Sequence, residues 1–190
     1  MSSVIRKPLP AFKAPLVLPS GEIKEVTNKD TSANYTFVCP TELLAFSDSI
    51  AKFQAVGAEV VGVSCDSEYT HLSWTTTPRK QGGLGPDFKL PLLADRTRHL
   101  STSLGCLIEE DGHPFRATYF VNPEGVVVAA HINDAPVGRS VDETLRTVQA
   151  FQFVAKHGEV CPVNFKPEDR KVGLVPDPKK AKEYFEKVNA

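Results

Sequence analysis

Apolar residues recur every three or four positions at Leu43, Phe46, Ile50 and Phe53, which predicts an amphipathic helix that Gly57 can close. The period then changes. Val60, Val61 and Val63 form a short β-branched run of the kind buried on both faces of a parallel strand, and Ser67 can cap a helix running through Leu72 and Trp74. The alternation repeats with a short strand at Leu90 to Leu93 and a helix from Thr97 to Leu104 that ends at Gly105. Arg116 to Val121 reads as a strand turning at Asn122-Pro123-Glu124-Gly125 into Val126 to Ala129, a hairpin. Ser140 and Glu143 make a capping box for a helix striped by Val141, Leu145 and Val148, which stops near Lys156-His157-Gly158. A last short helix is expected from Pro178, capped by Asp177, with Ala181, Tyr184, Phe185 and Val188 on one side. Strands alternating with helices, plus one antiparallel hairpin, give an α/β fold with a central mixed sheet flanked by helices.

Proline marks the two ends. Pro8, Pro10, Pro15 and Pro19 punctuate the beginning, and Pro162, Pro167, Pro176 and Pro178 the end; proline excludes regular helix and central strand, so both ends read as extended arms. The expected division is a domain over residues 1–155 and a C-terminal arm over 156–190. At 190 residues the chain suits one domain with one core. Its 22 basic and 23 acidic residues leave a net charge of −1, so the summed field gives no electrostatic reason to bind nucleic acid or anionic lipid. No apolar run approaches the ~20 residues that cross a bilayer, and the opening residues lack the apolar core of a secretory signal. No membrane association and a cytoplasmic location are the expectation.

Four cysteines carry the candidate chemistry: Cys39, Cys65, Cys106 and Cys161. None forms the short Cys-x-x-Cys knuckle of a zinc site, which favours redox chemistry over metal, and no cofactor or metal is expected. Cys39 precedes Pro40-Thr41-Glu42 at the entrance of the first helix. There, unpaired backbone N–H groups and the positive end of the helix dipole stabilise a thiolate, the form that attacks electrophiles. The alternative is a small buried apolar residue. Cys161, in a proline-rich segment past the last body helix, is either an available thiol or an idle one. Cys65 follows a buried strand and Cys106 lies in Leu104-Gly105-Cys106-Leu107-Ile108; both read as structural thiols.

Phe37-Val38-Cys39-Pro40-Thr41-Glu42, His71-Leu72-Ser73-Trp74, Arg79-Lys80-Gln81-Gly82-Gly83-Leu84-Gly85, Phe115-Arg116 and Gly158-Glu159-Val160-Cys161-Pro162 together resemble the typical two-cysteine peroxiredoxins, over nearly the whole chain. The resemblance implies a thioredoxin-like fold and a thiol-dependent peroxidase acting on hydrogen peroxide and alkyl hydroperoxides. Cys39 matches the peroxidatic cysteine, whose thiolate takes an oxygen atom and becomes a sulfenic acid. Cys161 matches the resolving cysteine, which in this family comes from the other subunit. The implied partners are thioredoxin or a similar dithiol reductant and a second copy of the chain, in a homodimer that in relatives assembles further into a decameric ring. Thr36 and Arg116 match residues around the peroxide: a hydroxyl can orient an oxygen, and a guanidinium can lower the thiol pKa and stabilise charge on the leaving oxygen. Glu42 matches the residue that holds the arginine. Gly82 to Gly85 and Tyr184-Phe185 resemble two motifs of peroxiredoxins prone to over-oxidation. A second reading is a catalytically impaired variant acting as a holdase chaperone or redox-signalling binding protein.

One segment departs from that pattern. The family places a strongly apolar strand and a proline before the peroxidatic segment, whereas Thr27-Asn28-Lys29-Asp30-Thr31-Ser32-Ala33-Asn34 stands here, with Ser32 where the proline falls. Either a polar segment fills the vacant slot in the sheet, or the sheet closes imperfectly and the peroxide pocket is malformed. Lost pairing and apolar burial weigh heavily against a total stability of about 5–15 kcal/mol. A version with the apolar strand and proline restored is expected to melt at a higher temperature and to turn over peroxide faster. Equal melting temperatures and rates would contradict this.

Overall fold

The computed structural model describes residues 3–30, 34–37, 39–166, 177 and 181–188. They form two compact units, residues 1–141 and 142–190. The first unit is built on a sheet of seven strands: β1 (Lys13–Val17), β2 (Ile23–Thr27), β3 (Asn34–Phe37), β4 (Val60–Ser64), β5 (Leu92–Ala94), β8 (Arg116–Val121) and β9 (Val127–Asn133). Their order across the sheet is β2-β1-β5-β4-β3-β8-β9. A separate small ribbon pairs β6 (Leu107–Ile108) with β7 (His113–Pro114). The helices are α1 (Pro40–Asp48), α2 (Ile50–Ala55), α3 (Glu68–Thr76), α4 (His99–Leu104), α5 (Val141–His157) and α6 (Ala181–Val188).

The slot that the sequence leaves open is filled. Asn34–Phe37 enters the middle of the sheet, parallel to β4 with Phe37 opposite Val63 and antiparallel to β8 with Thr36 opposite Thr118. Four residues of alternating polarity do the work of an apolar strand because backbone N–H and C=O groups on both sides need partners, and β4 and β8 supply them. On one face of the sheet, Val61 and Val63 pack with Leu93, Tyr119, Leu100, Leu104 and Phe12. On the other, Gly62 lets α1 sit directly on the strands. A Cβ at that position would lie 2.6 Å from Leu43 and 2.7 Å from Leu92, closer than carbon atoms pack.

Several sequence expectations change in detail. The helix expected from Leu43 to Phe53 is two helices, broken at Ser49 (φ −99°, ψ 4°), where Ser47-Asp48-Ser49 sets three poor helix formers in a row. The leading segment is not an extended arm: β1 and β2 form a hairpin at the sheet's edge. Pro15 is tolerated in it because the contact of β1 with β5 is confined to Leu16 and Val17. The helix expected from Thr97 begins at His99, and the Asp95 carboxylate accepts from the N–H groups of Leu100 and Ser101 at 3.0 and 2.8 Å. The hairpin after Arg116 forms as expected, with Asn122 accepting from the Val126 N–H at 2.8 Å, and β9 runs on to Asn133. Ser67 caps α3 through the Thr70 N–H at 3.2 Å.

In the second unit the Phe153 ring of α5 packs on Phe165 at 5.0 Å and on His157 at 4.6 Å between centroids, and Glu143 holds Arg146 through two bonds of 2.6 and 2.7 Å. The expected terminal helix is α6, its first N–H bonded to the Asp177 carbonyl at 2.8 Å. The rest of the expected arm, residues 167–176, 178–180 and 189–190, lies outside the described residues.

Candidate active site

Cys39 stands where β3 gives way to α1, at the end of the sheet where β8 begins. Its backbone is extended (φ −86°, ψ 151°), it is the N-cap of α1, and Pro40 occupies the first turn, where a missing N–H costs nothing. Its carbonyl accepts from the N–H groups of Glu42 and Leu43, both at 3.1 Å. The half-buried thiol lies 3.6 Å from the Thr41 hydroxyl. Burial alone would raise its pKa. Hydrogen bonds from Thr41 and Arg116 and the Arg116 charge outweigh that, and the net direction is down.

Behind the thiol lies a buried carboxylate. Glu42 returns a bond of 3.5 Å from the Cys39 N–H and is clasped by two guanidiniums. Arg116 donates to it at 2.6 Å, and also to the Ala135 carbonyl. Arg139 gives its backbone N–H at 2.6 Å and two guanidinium bonds at 3.1 Å, while its remaining nitrogen reaches the Ala117 carbonyl at 2.6 Å and the Thr118 hydroxyl at 3.3 Å. Burial pushes the Glu42 carboxyl up, but Arg139 and then Arg116 pull it down to about 2. The two arginines differ in setting, since the Arg139 side chain is 2% exposed and that of Arg116 25%. Arg139 is therefore the fixed wall, and Arg116 the arm held out toward the sulfur and solvent.

A cleft of about 440 Å³ opens over this junction, lined by Cys39, Cys65, Arg98, His113, Phe115 and Arg116 among others. It admits a small polar molecule beside a thiol of lowered pKa and a cation. Among the described residues no cluster of three His, Cys, Asp or Glu side chains could hold a metal ion, and no helix is long and apolar enough to cross a membrane.

Cys39, Glu42 and Arg116 are thus brought together as a unit. Thr36 is in the central strand β3, paired with Gly62 and Thr118, and its side chain lies outside the described residues. Cys161 belongs to the second unit, half-buried, its thiol 3.5 Å from the Ala150 carbonyl; burial raises its pKa against the opposing Arg146 charge. Cys106 is fully buried and its thiol is pushed up to about 12. Sequence reasoning missed Arg139. The signal was there, because an arginine just before a helix start faces the positive end of a dipole and needs an anion.

Comparison with known proteins places this geometry. Residues 5–130 match the model of the AhpC/TSA family, and residues 150–187 that of the C-terminal domain of 1-Cys peroxiredoxin. The chain belongs to the AhpC/TSA family, the peroxiredoxins. It is 48% identical to Peroxiredoxin-4 of Dictyostelium discoideum, covering 97% of this chain and 74% of that protein. To Peroxiredoxin 2 of Drosophila melanogaster it is 47% identical, over 96% and 97% of the two chains. The reduced 2-Cys peroxiredoxin of Plasmodium vivax superposes with a TM-score of 0.91 at 32% identity, covering 97% of this chain and all of that one. Peroxiredoxins are thiol-dependent peroxidases, and this chain is one. The Dictyostelium alignment spans 195 positions against 190 residues here, so that relative carries residues within the aligned span that this peroxiredoxin lacks.

The clasped carboxylate makes a stability prediction with a defined sign. Because the Glu42 pKa is depressed, its contribution is present above its ordinary value of 4.5 and is lost as the pH falls toward about 2. Urea midpoints should fall across that window in the parent, and Glu42→Gln should be less stable at neutral pH with a flatter acid limb. Arg139→Met, which strands a buried charge, should cost about 3–5 kcal/mol, and Arg116→Met less. Equal losses, or the reverse order, would refute the assignment of Arg139 as the wall.

Proposed function

We propose that this peroxiredoxin reduces hydrogen peroxide and alkyl hydroperoxides with Cys39 as the peroxidatic thiol, Arg116 as the residue that stabilises it, and Glu42 as the residue that positions Arg116. The thiolate attacks the terminal oxygen of ROOH, the O–O bond breaks, and the leaving oxygen takes up a proton to depart as ROH, with Cys39 left as a sulfenic acid. Charge moves from sulfur to the leaving oxygen. A guanidinium beside both stabilises the start and the end of that movement, and it needs no reorganisation if it is already fixed. The Arg116 guanidinium, held by Glu42 and facing the same cleft as Cys39, whose pKa its charge helps to lower, is the observation that carries this reading. Thr36, three residues before the sulfur, is assigned to orienting the peroxide.

The sulfenic acid condenses with Cys161 of a second copy of the chain, releasing water and forming an intersubunit disulfide. A dithiol donor of the thioredoxin type returns both thiols by exchange. The functional unit is a homodimer, with a ring of dimers as its further assembly, and the cytoplasm its compartment.

Peroxide consumption coupled to thioredoxin and its reductase tests this directly. The parent should consume peroxide, and Cys39→Ser should reduce the rate to background. Peroxide followed by a non-reducing gel should give a dimer that Cys161→Ser abolishes. Full turnover by Cys39→Ser would overturn the assignment, as would a dimer that survives Cys161→Ser.

A further inference from the structure

The cleft over Cys39 is larger than hydrogen peroxide needs. A water molecule takes up about 30 Å³ in the liquid and hydrogen peroxide adds one oxygen atom to that, whereas the cleft holds about 440 Å³, a size that suits an organic ligand. Its lining carries two guanidiniums, Arg116 and Arg98. Arg116 is committed: it bonds to the Glu42 carboxylate at 2.6 Å and to the Ala135 carbonyl. Arg98 is not. Its Nε donates to the Gly112 carbonyl at 2.7 Å, and among the described residues no carboxylate pairs with it and its two terminal nitrogens have no hydrogen-bond partner. Asp66, the carboxylate in the lining, accepts instead from the Ser64 hydroxyl at 2.8 Å.

The chain holds Arg98 at both ends. Its backbone lies in the left-handed region (φ 57°, ψ 16°), which a residue with a Cβ seldom adopts. Its N–H is bonded to the Asp95 carbonyl at 2.8 Å, and its carbonyl accepts from the Thr102 N–H at 3.0 Å. At the other end, Gly112 of the β6–β7 turn supplies the carbonyl that fixes Nε. A guanidinium tied at Nε keeps Nη1 and Nη2, the pair of donors that fits the two oxygens of a carboxylate. Val63, Pro114, Phe115 and Ala135 add apolar lining to the same cleft.

Resting on the assignment of Cys39 as the peroxidatic thiol, we propose that Arg98 is a specificity-determining residue that makes the cleft select organic hydroperoxides carrying a carboxylate. The carboxylate pairs with the open edge of the Arg98 guanidinium, the carbon skeleton meets the apolar lining, and the hydroperoxide group meets Cys39 and Arg116. The chemistry is that of any hydroperoxide. The Cys39 sulfur takes the terminal oxygen, the O–O bond breaks, and the remaining oxygen takes up a proton and departs as the alcohol of a hydroxy acid, its carboxylate unchanged. A neutral hydroperoxide leaves the Arg98 edge to water. Because Arg98 is exposed, the pair is screened by salt and the preference it gives is about fivefold, the upper range for an exposed ion pair.

The experiment compares two hydroperoxides on one skeleton, cumene hydroperoxide with a para carboxylate and the methyl ester of that acid. Rate constants for loss of the Cys39 thiol in the full chain are measured at neutral pH by rapid quench, alkylation and peptide mapping. The quantity read is the ratio of acid to ester. In the parent it should favour the acid and shrink as the ionic strength rises from about 0.01 M to about 1 M. It should fall about fivefold in Arg98→Met, and equally in Arg98→Gln, which keeps a donor for the Gly112 carbonyl and loses the charge. If Arg98 only ties the ribbon to α4, its loss slows both hydroperoxides alike and the ratio stays at the parent value. That result overturns the inference, as does a parent that treats acid and ester alike, and either leaves the peroxidatic assignment standing. Failure of both compounds and of hydrogen peroxide to oxidise Cys39 in the parent overturns the assignment as well.

Discussion

One buried carboxylate organises this site. Glu42 is anchored in the first turn of α1, and both its oxygens are occupied by guanidiniums that come from a strand and from the segment before α5. A charge in that position is tolerable only while its partners stay in place. The clasp therefore does two things at once: it ties α1 to β8 and to the residue before α5, and it fixes the direction in which Arg116 presents its charge. The lowered pKa of Cys39 comes first from the Thr41 hydrogen bonds and then from Arg116, whose charge is aimed by that clasp.

The clasp survives an unusual foundation. In place of a long apolar central strand, the sheet holds the four residues Asn34–Phe37 between β4 and β8. Backbone pairing preserves the order of the strands, and with it the relative positions of Arg116 and the start of α1. What changes is the approach to Cys39. β3 ends at Phe37 and α1 begins at Pro40, and Thr36 is drawn into the ladder, opposite Gly62 and Thr118.

The parts of the fold that were legible in the sequence are those where several local signals agree. Val60 to Val63, the Asn122 to Gly125 turn and the Ser67 cap each combine a periodic run with a fitting boundary residue, and each element appears where expected. β3 was not legible, because its strand character comes from its two neighbours and not from Asn-Tyr-Thr-Phe itself. The β1–β2 hairpin was masked by proline, and the break at Ser49 by a hydrophobic stripe that continues across it. In the site, Cys39 and Glu42 share one helical turn and could be paired by spacing. Arg139 could not, since nothing local ties it to residue 42.

Arg116, held by Glu42, helps to lower the pKa of the Cys39 thiol. That role is tested most directly by following the ultraviolet absorbance of the thiolate against pH in a protein that retains Cys39 alone, with and without Arg116→Met. The midpoint should lie below the ~8.5 of a free thiol in the first protein and move clearly upward in the second. An unshifted midpoint shared by both would contradict it.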